Sequence, residues 1–87
     1  MHAVVVRVSI NDRPAAQAEL KEIVPRVSAA PGFIAGYWIA LSQDKGSSFA
    51  LFESEAAAEA VAATVRPPAD APVTIESVEV GEVIAQA

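Results

Sequence analysis

The chain has 87 residues, a formal net charge of −5 and 53% hydrophobic residues; that length makes one domain, residues 1–87, which buries roughly 60 to 65% of its unfolded surface and gains from association. The six basic residues, Arg7, Arg13, Lys21, Arg26, Lys45 and Arg66, are spread singly, which excludes the basic stripe that nucleic-acid binding by counterion release requires. The absence of cysteine excludes disulfides, thiolate metal sites and a cysteine nucleophile, so the fold rests on packing alone.

The first residues, Met-His-Ala-Val-Val-Val-Arg, lack a basic leader, and their apolar stretch stops at Arg7. Neither a signal peptide nor a membrane span is expected, and the default location is the cytoplasm. Over residues 3–10, Val4, Val6, Val8 and Ile10 share one parity and Ala3, Val5, Arg7 and Ser9 the other. This β-branched pattern predicts a first, central strand. Asn11 and Asp12 offer side-chain oxygens to cap a helix, Pro14 suits its first turn, and Ala16, Leu20, Ile23, Val24 and Val27 recur at helical spacing. Pro25 lies inside that stripe and removes a backbone donor, so a break in this helix is expected near 21–24.

Pro31 and Gly32 close the connection to a nine-residue apolar run, 33–41. As a strand, it would place Phe33, Ala35, Tyr37, Ile39 and Leu41 on one surface and Ile34, Gly36, Trp38 and Ala40 on the other. A strand apolar on both faces needs cover on both, and the helical segments suffice for one. The strand is expected over 33–42, and Gly46 is expected to take a left-handed conformation in a hairpin loop spanning 43–46. Ser47 and Ser48 read as turn residues with no adjacent base to activate them, and the return strand is expected over 48–53.

Ser54 is a candidate N-cap with Glu55 in the first turn of a second helix, whose inward stripe reads as Ala57, Ala60, Val61, Thr64 and Val65. Arg66-Pro67-Pro68 stops it, and an extended connector reaches Pro72. A last strand starts at Val73. Its apolar parity changes between Ile75 and Val78, which either marks a β-bulge at Glu76 and Ser77 or reflects tolerated polar residues in a two-sided strand. Glu76, Glu79 and Glu82 read as a solvated strand edge.

The order βαββαβ predicts an α+β ferredoxin-like plait: a four-stranded antiparallel sheet with two helices on one face. Its bare face leads to the expectation of a homodimer, two sheets packed about 10 Å apart and burying on the order of 800 Å² per subunit, a barrel with helices outside.

Pro31-Gly32-Phe33 leading into an aromatic strand, Phe52-Glu53-Ser54-Glu55-Ala56-Ala57 at the junction with the second helix, and the valine-rich last strand occur in an order that resembles the dimeric α+β barrel superfamily. The resemblance is to its antibiotic-biosynthesis-monooxygenase-like branch and spans nearly the full length. It implies a cleft between helices and sheet, and an oxygenase that acts on an aromatic phenol or anthrone without a cofactor. Haem-degrading oxygenases belong to the same branch; the aromatic before the Glu-Ser-Glu-Ala junction, often tryptophan in the family, is Phe52 here, and the second helix carries alanines where many members carry histidine.

His2 is the sole histidine, so neither a Ser-His-Asp triad nor a histidine-rich metal site assembles from one chain. No metal and no cofactor are expected. The candidate substrate-binding residues are Trp38, Tyr37, Asn11 and Arg7. The two aromatics carry polar handles that suit either a ligand or an interface. Asn11 stands where related oxygenases place a substrate-orienting amide, although capping of the first helix also explains it. Arg7, a lone guanidinium mid-strand, needs solvent, a carboxylate such as Glu53 or Glu79, or an anion. RNA-binding plaits stack bases on aromatics in their first strand, and this one has none there. Two functions remain: a homodimeric, monooxygenase-like protein acting on a small aromatic ligand, or a non-catalytic small-molecule-binding or interaction module whose aromatic sheet face is only the dimer interface.

Overall fold

The computed structural model describes residues 1–65 and 71–87; the expected helix stop and the connector residues at 66–70 lie outside the described residues. The elements are β1 (His2–Ile10), α1 (Arg13–Ser28), β2 (Phe33–Ala40), β3 (Lys45–Phe52), α2 (Glu55–Ala62) and β4 (Val73–Glu82). They form a four-stranded antiparallel sheet in the order β2-β3-β1-β4, with the valine-rich β1 in the interior as its composition demands. This is the ferredoxin-like α+β plait.

One face of the sheet carries the core. Val4 and Val6 of β1, Ala50 and Phe52 of β3 and Ala58 of α2 are buried together, with Val78 and Val80 of β4 packed beside them. Phe52 and Ala58 are wholly excluded from solvent. The ring of Phe52 meets that of Phe33 edge-on, at 5.8 Å and 78°, a favoured aromatic geometry.

Two irregularities set which residues face this core. In β4 the register against β1 shifts so that Ser77 opposes Arg7 while Ile75 opposes Val8. Glu76 is therefore the extra residue of a bulge, and Val73, Ile75, Val78 and Val80 all reach the helix side despite their change of parity. In β2 the register shifts between Phe33 and Ala35. Strict alternation puts Phe33 beside Tyr37; the shift instead turns Phe33 to the helix side, with Gly36, Trp38 and Ala40.

Several local expectations are corrected. Helix α1 runs unbroken through Pro25. Lys21 and Pro25 are both exposed, so the carbonyl deprived of its donor faces water, and Ala29 N–H and Ser28 Oγ both donate to Pro25 O. Asp12 rather than Asn11 caps α1, its carboxylate accepting from Ala15 N–H at 3.1 Å, while Asn11 Nδ2 donates to Thr74 Oγ1 at 3.1 Å. Gly46 is not in a loop but buried in β3, where a Cβ would lie 3.3 Å from Val8 Cγ2 and from Ile39 O. The left-handed glycine is Gly32, at φ +82°, whose carbonyl accepts from Glu53 N–H at 2.8 Å.

Ser47 and Ser48 are likewise strand residues, Ser47 Oγ donating to Val6 O at 3.1 Å. Ser54 caps α2 as expected, accepting from Ala57 N–H at 3.1 Å. The inward side of α2 is set by buried Ala58 with Ala57, Val61 and Ala62, whereas Ala60 and Thr64 are exposed.

Candidate functional site

Helix α1 buries none of its sixteen residues, although its apolar stripe faces the sheet. Ala16, Leu20, Ile23 and Val27 instead form the roof of a cavity of about 290 Å³. Its floor is Val4, Val6 and Val8 of β1 with Ala50 of β3, and Val61 and Val65 close the side toward α2. Apolar side chains at core spacing thus surround space rather than one another.

Trp38 is the cavity's one aromatic wall. Gln17 of α1 and Ile39 and Ala40 of β2 line the cavity yet are exposed, so the mouth lies between the first half of α1 and the end of β2. Arg13 stands beside it and spans from α1 to the β2–β3 loop, donating to Ser42 O at 3.3 Å. Ser48, opposite Trp38 in the sheet, also lines the cavity. Among the described residues, neither the Ser48 hydroxyl nor the Trp38 indole N–H has a hydrogen-bond partner. Both are available to a ligand.

The four residues singled out from the sequence do not converge. Trp38 lines the cavity. Tyr37, 60% exposed, and Arg7, also exposed, stand on the opposite face of the sheet, where Arg7 makes no ion pair among the described residues. Asn11 lies past the end of β1, bonded to Thr74. Arg13, Gln17 and Ser48 line the cavity without having been picked out for it. The parity of β3 would have placed Ser48 beside the core once its strand start was known; nothing in the sequence marks Arg13 or Gln17.

The opposite face is an apolar sheet surface without cover. Tyr37, Ile39, Phe49, Leu51, Ala3 and Val83 line a shallow hollow on it, and Leu41, at the end of β2, is 61% exposed. His2, at the start of β1, brings Nε2 to 3.5 Å from Glu55 Oε2 while its Nδ1 is buried without a partner. Among the described residues no cluster of three or more potential metal ligands occurs, and no helix is long and apolar enough to cross a membrane. No protein-family model matches the chain, and no curated protein matches it.

Proposed function

We propose that the protein is a homodimer that binds a small aromatic molecule in the cavity between α1, α2 and the sheet of each subunit. The observation that carries this reading is the cavity itself, about 290 Å³ enclosed mainly by aliphatic side chains. Apolar cavities of ~150 Å³ stay dry and take up benzene, so a space almost twice that size suits a molecule of two or three rings. Ligand sites of this kind are lined mainly by apolar groups with a few placed polar ones, here the Trp38 indole N–H, the Ser48 hydroxyl and Arg13 at the mouth.

Dimerisation is supported by the uncovered face. Tyr37, Ile39, Phe49 and Leu41 expose 37 to 61% of their surface there, and contiguous apolar area of this sort marks an association surface. Pairing the bare sheets of two copies covers both without disturbing the cavities on the far sides.

A catalytic reading is favoured by the aliphatic lining, which excludes water from a bound phenol or anthrone. The substrate supplies the electrons: a ring methylene becomes a carbonyl, one oxygen atom of O2 enters the carbon and the other leaves as water with the two hydrogens. The polar groups at Trp38, Ser48 and Arg13 would orient the ring.

Titration with 2-naphthol and anthrone, followed by the fluorescence of Trp38, tests the reading, since Trp38 is the sole tryptophan. Saturable quenching that Ala16→Phe or Ile23→Phe abolishes by filling the cavity, without adding a second tryptophan, is expected; quenching unaffected by either overturns it. Oxygen consumption with anthrone separates turnover from binding alone.

A further inference from the structure

We infer that Gly36 determines which ring systems the cavity admits, acting as a positioning residue through Trp38; this rests on the ligand-binding reading above. Because of the register shift near the start of β2, Phe33, Gly36 and Trp38 all stand on the cavity side of that strand. A side chain at 36 has no room: its Cβ would lie 2.9 Å from both Cη2 and Cζ3 of Trp38, and 3.4 Å from Cε1 of Phe33. Carbon atoms rest at about 3.5 to 4.0 Å from one another, so the indole occupies the place that a side chain would take.

The backbone does not ask for glycine here, since the only positive φ in the described chain is at Gly32. A glycine within a strand often marks close approach of another group to the backbone, and that group is the six-membered end of the Trp38 ring. The ring lies back along β2 toward Phe33, away from the mouth at Gln17 and Ala40. Phe33 is itself held edge-on against fully buried Phe52, so the second ring that a Cβ at 36 would meet is also fixed in place.

This seating keeps the space over Ser48 and Ala40 free and presents a flat aromatic wall. A Cβ at 36 would lift the far end of the indole off the strand on the side of the sheet that faces Ala50 and the cavity. The ligand class that follows is a flat, fused-ring aromatic lying against the indole; a single ring needs far less of the space that Gly36 keeps clear.

Gly36→Ala, Trp38→Phe and the double variant, each in the full chain, test the assignment with phenol, 2-naphthol and anthrone by calorimetric titration. Gly36→Ala should weaken anthrone relative to phenol by about tenfold or more, the scale on which steric fit discriminates ligands, and the double variant should recover anthrone binding to the level of Trp38→Phe. Without ligand, Gly36→Ala should also shift the Trp38 emission. An unchanged anthrone-to-phenol ratio, an unshifted emission, or failure of the double variant to recover each overturns the assignment.

Should Gly36→Ala not fold, Trp38→Phe alone decides: without the flat indole wall the anthrone-to-phenol ratio should fall, and an unchanged or raised ratio refutes the role. If the unaltered protein binds none of the three probes, the ligand-binding reading falls and ring selection falls with it, whereas binding with an unchanged ratio removes Gly36 alone.

Discussion

Glu76 shows how one side chain ties a local irregularity to the rest of the sheet. As the extra residue of the β4 bulge it accepts from Lys45 Nζ at 2.6 Å and from Ser9 Oγ at 2.8 Å, while Lys45 Nζ also donates to Ser9 Oγ at 3.0 Å. The hydrogen bond from Lys45 chiefly holds the Glu76 carboxyl below the usual carboxylate range, with Ser9 adding to it, and the same bond raises the Lys45 ammonium above the usual lysine range. A carboxyl lowered on folding stabilises the fold above its unfolded-state value and loses that contribution as pH falls through the lowered one. A raised lysine stabilises below its unfolded-state value and loses the contribution as pH rises through the raised one. Both side chains are nearly half exposed, so the effect is small and screened by salt. Urea midpoints measured from neutral pH down through the carboxylate range should fall less steeply for Glu76→Gln than for the unaltered protein at low salt, and the difference should shrink at high salt. Equal slopes at low salt would show that the pair contributes nothing.

Among the elements, the helices are where the pattern of residues says least. Helix α2, Glu-Ala-Ala-Ala-Glu-Ala-Val-Ala, has alanine on almost every side, so spacings of three and four fit several helical phases equally well. Packing selects the phase that puts Ala58 against the sheet, because the close approach of helix to strands leaves no room there for more than a methyl group. Ala58→Leu should therefore destabilise by about 1 to 3 kcal/mol through overpacking, while Ala60→Leu on the exposed side should stay within about 0.5 kcal/mol, both read from denaturant midpoints. Reversal of that order would mean that the helix is rotated. Helix α1 differs in kind: its stripe was readable at 16, 20, 23 and 27, yet only Val27 also packs against the core, and the others roof a cavity instead. Periodicity reports which side of a helix is apolar, not how far that side stands from its neighbour.

On the scale of the whole molecule, the plait leaves one sheet face covered and one bare. The surface around Tyr37, Ile39 and Phe49 is where two copies are proposed to meet, and a charge placed there would be desolvated without a partner. Tyr37→Lys should convert a dimer to a folded monomer at micromolar concentration, read as a halved mass by light scattering with unchanged far-UV circular dichroism. An unaltered protein that already scatters as a monomer would remove the dimer and leave the cavity reading intact. Because Tyr37 and Trp38 are adjacent and point to opposite faces, the same short segment serves both the proposed interface and the cavity wall.

Alternation of β-branched residues, the serine and aspartate caps and the proline and glycine breaks are local signals, and they sufficed for the six elements, their order and the plait. The parity change in β4 left a bulge and a two-sided strand as alternatives, and the register against β1 decided for the bulge. The parity of Phe33, the phase of α2, the strand position of Gly46 and the opening beneath α1 were beyond such signals. Each depends on what lies across the sheet or above it: Phe52 opposite Phe33, strands beneath Ala58, Val8 and Ile39 against Gly46, and the standoff of a helix with no fully buried residue. Chain-local energetics choose the element, but contacts between residues far apart in the chain choose its rotation, its register and the space it leaves, and the candidate site consists of that space.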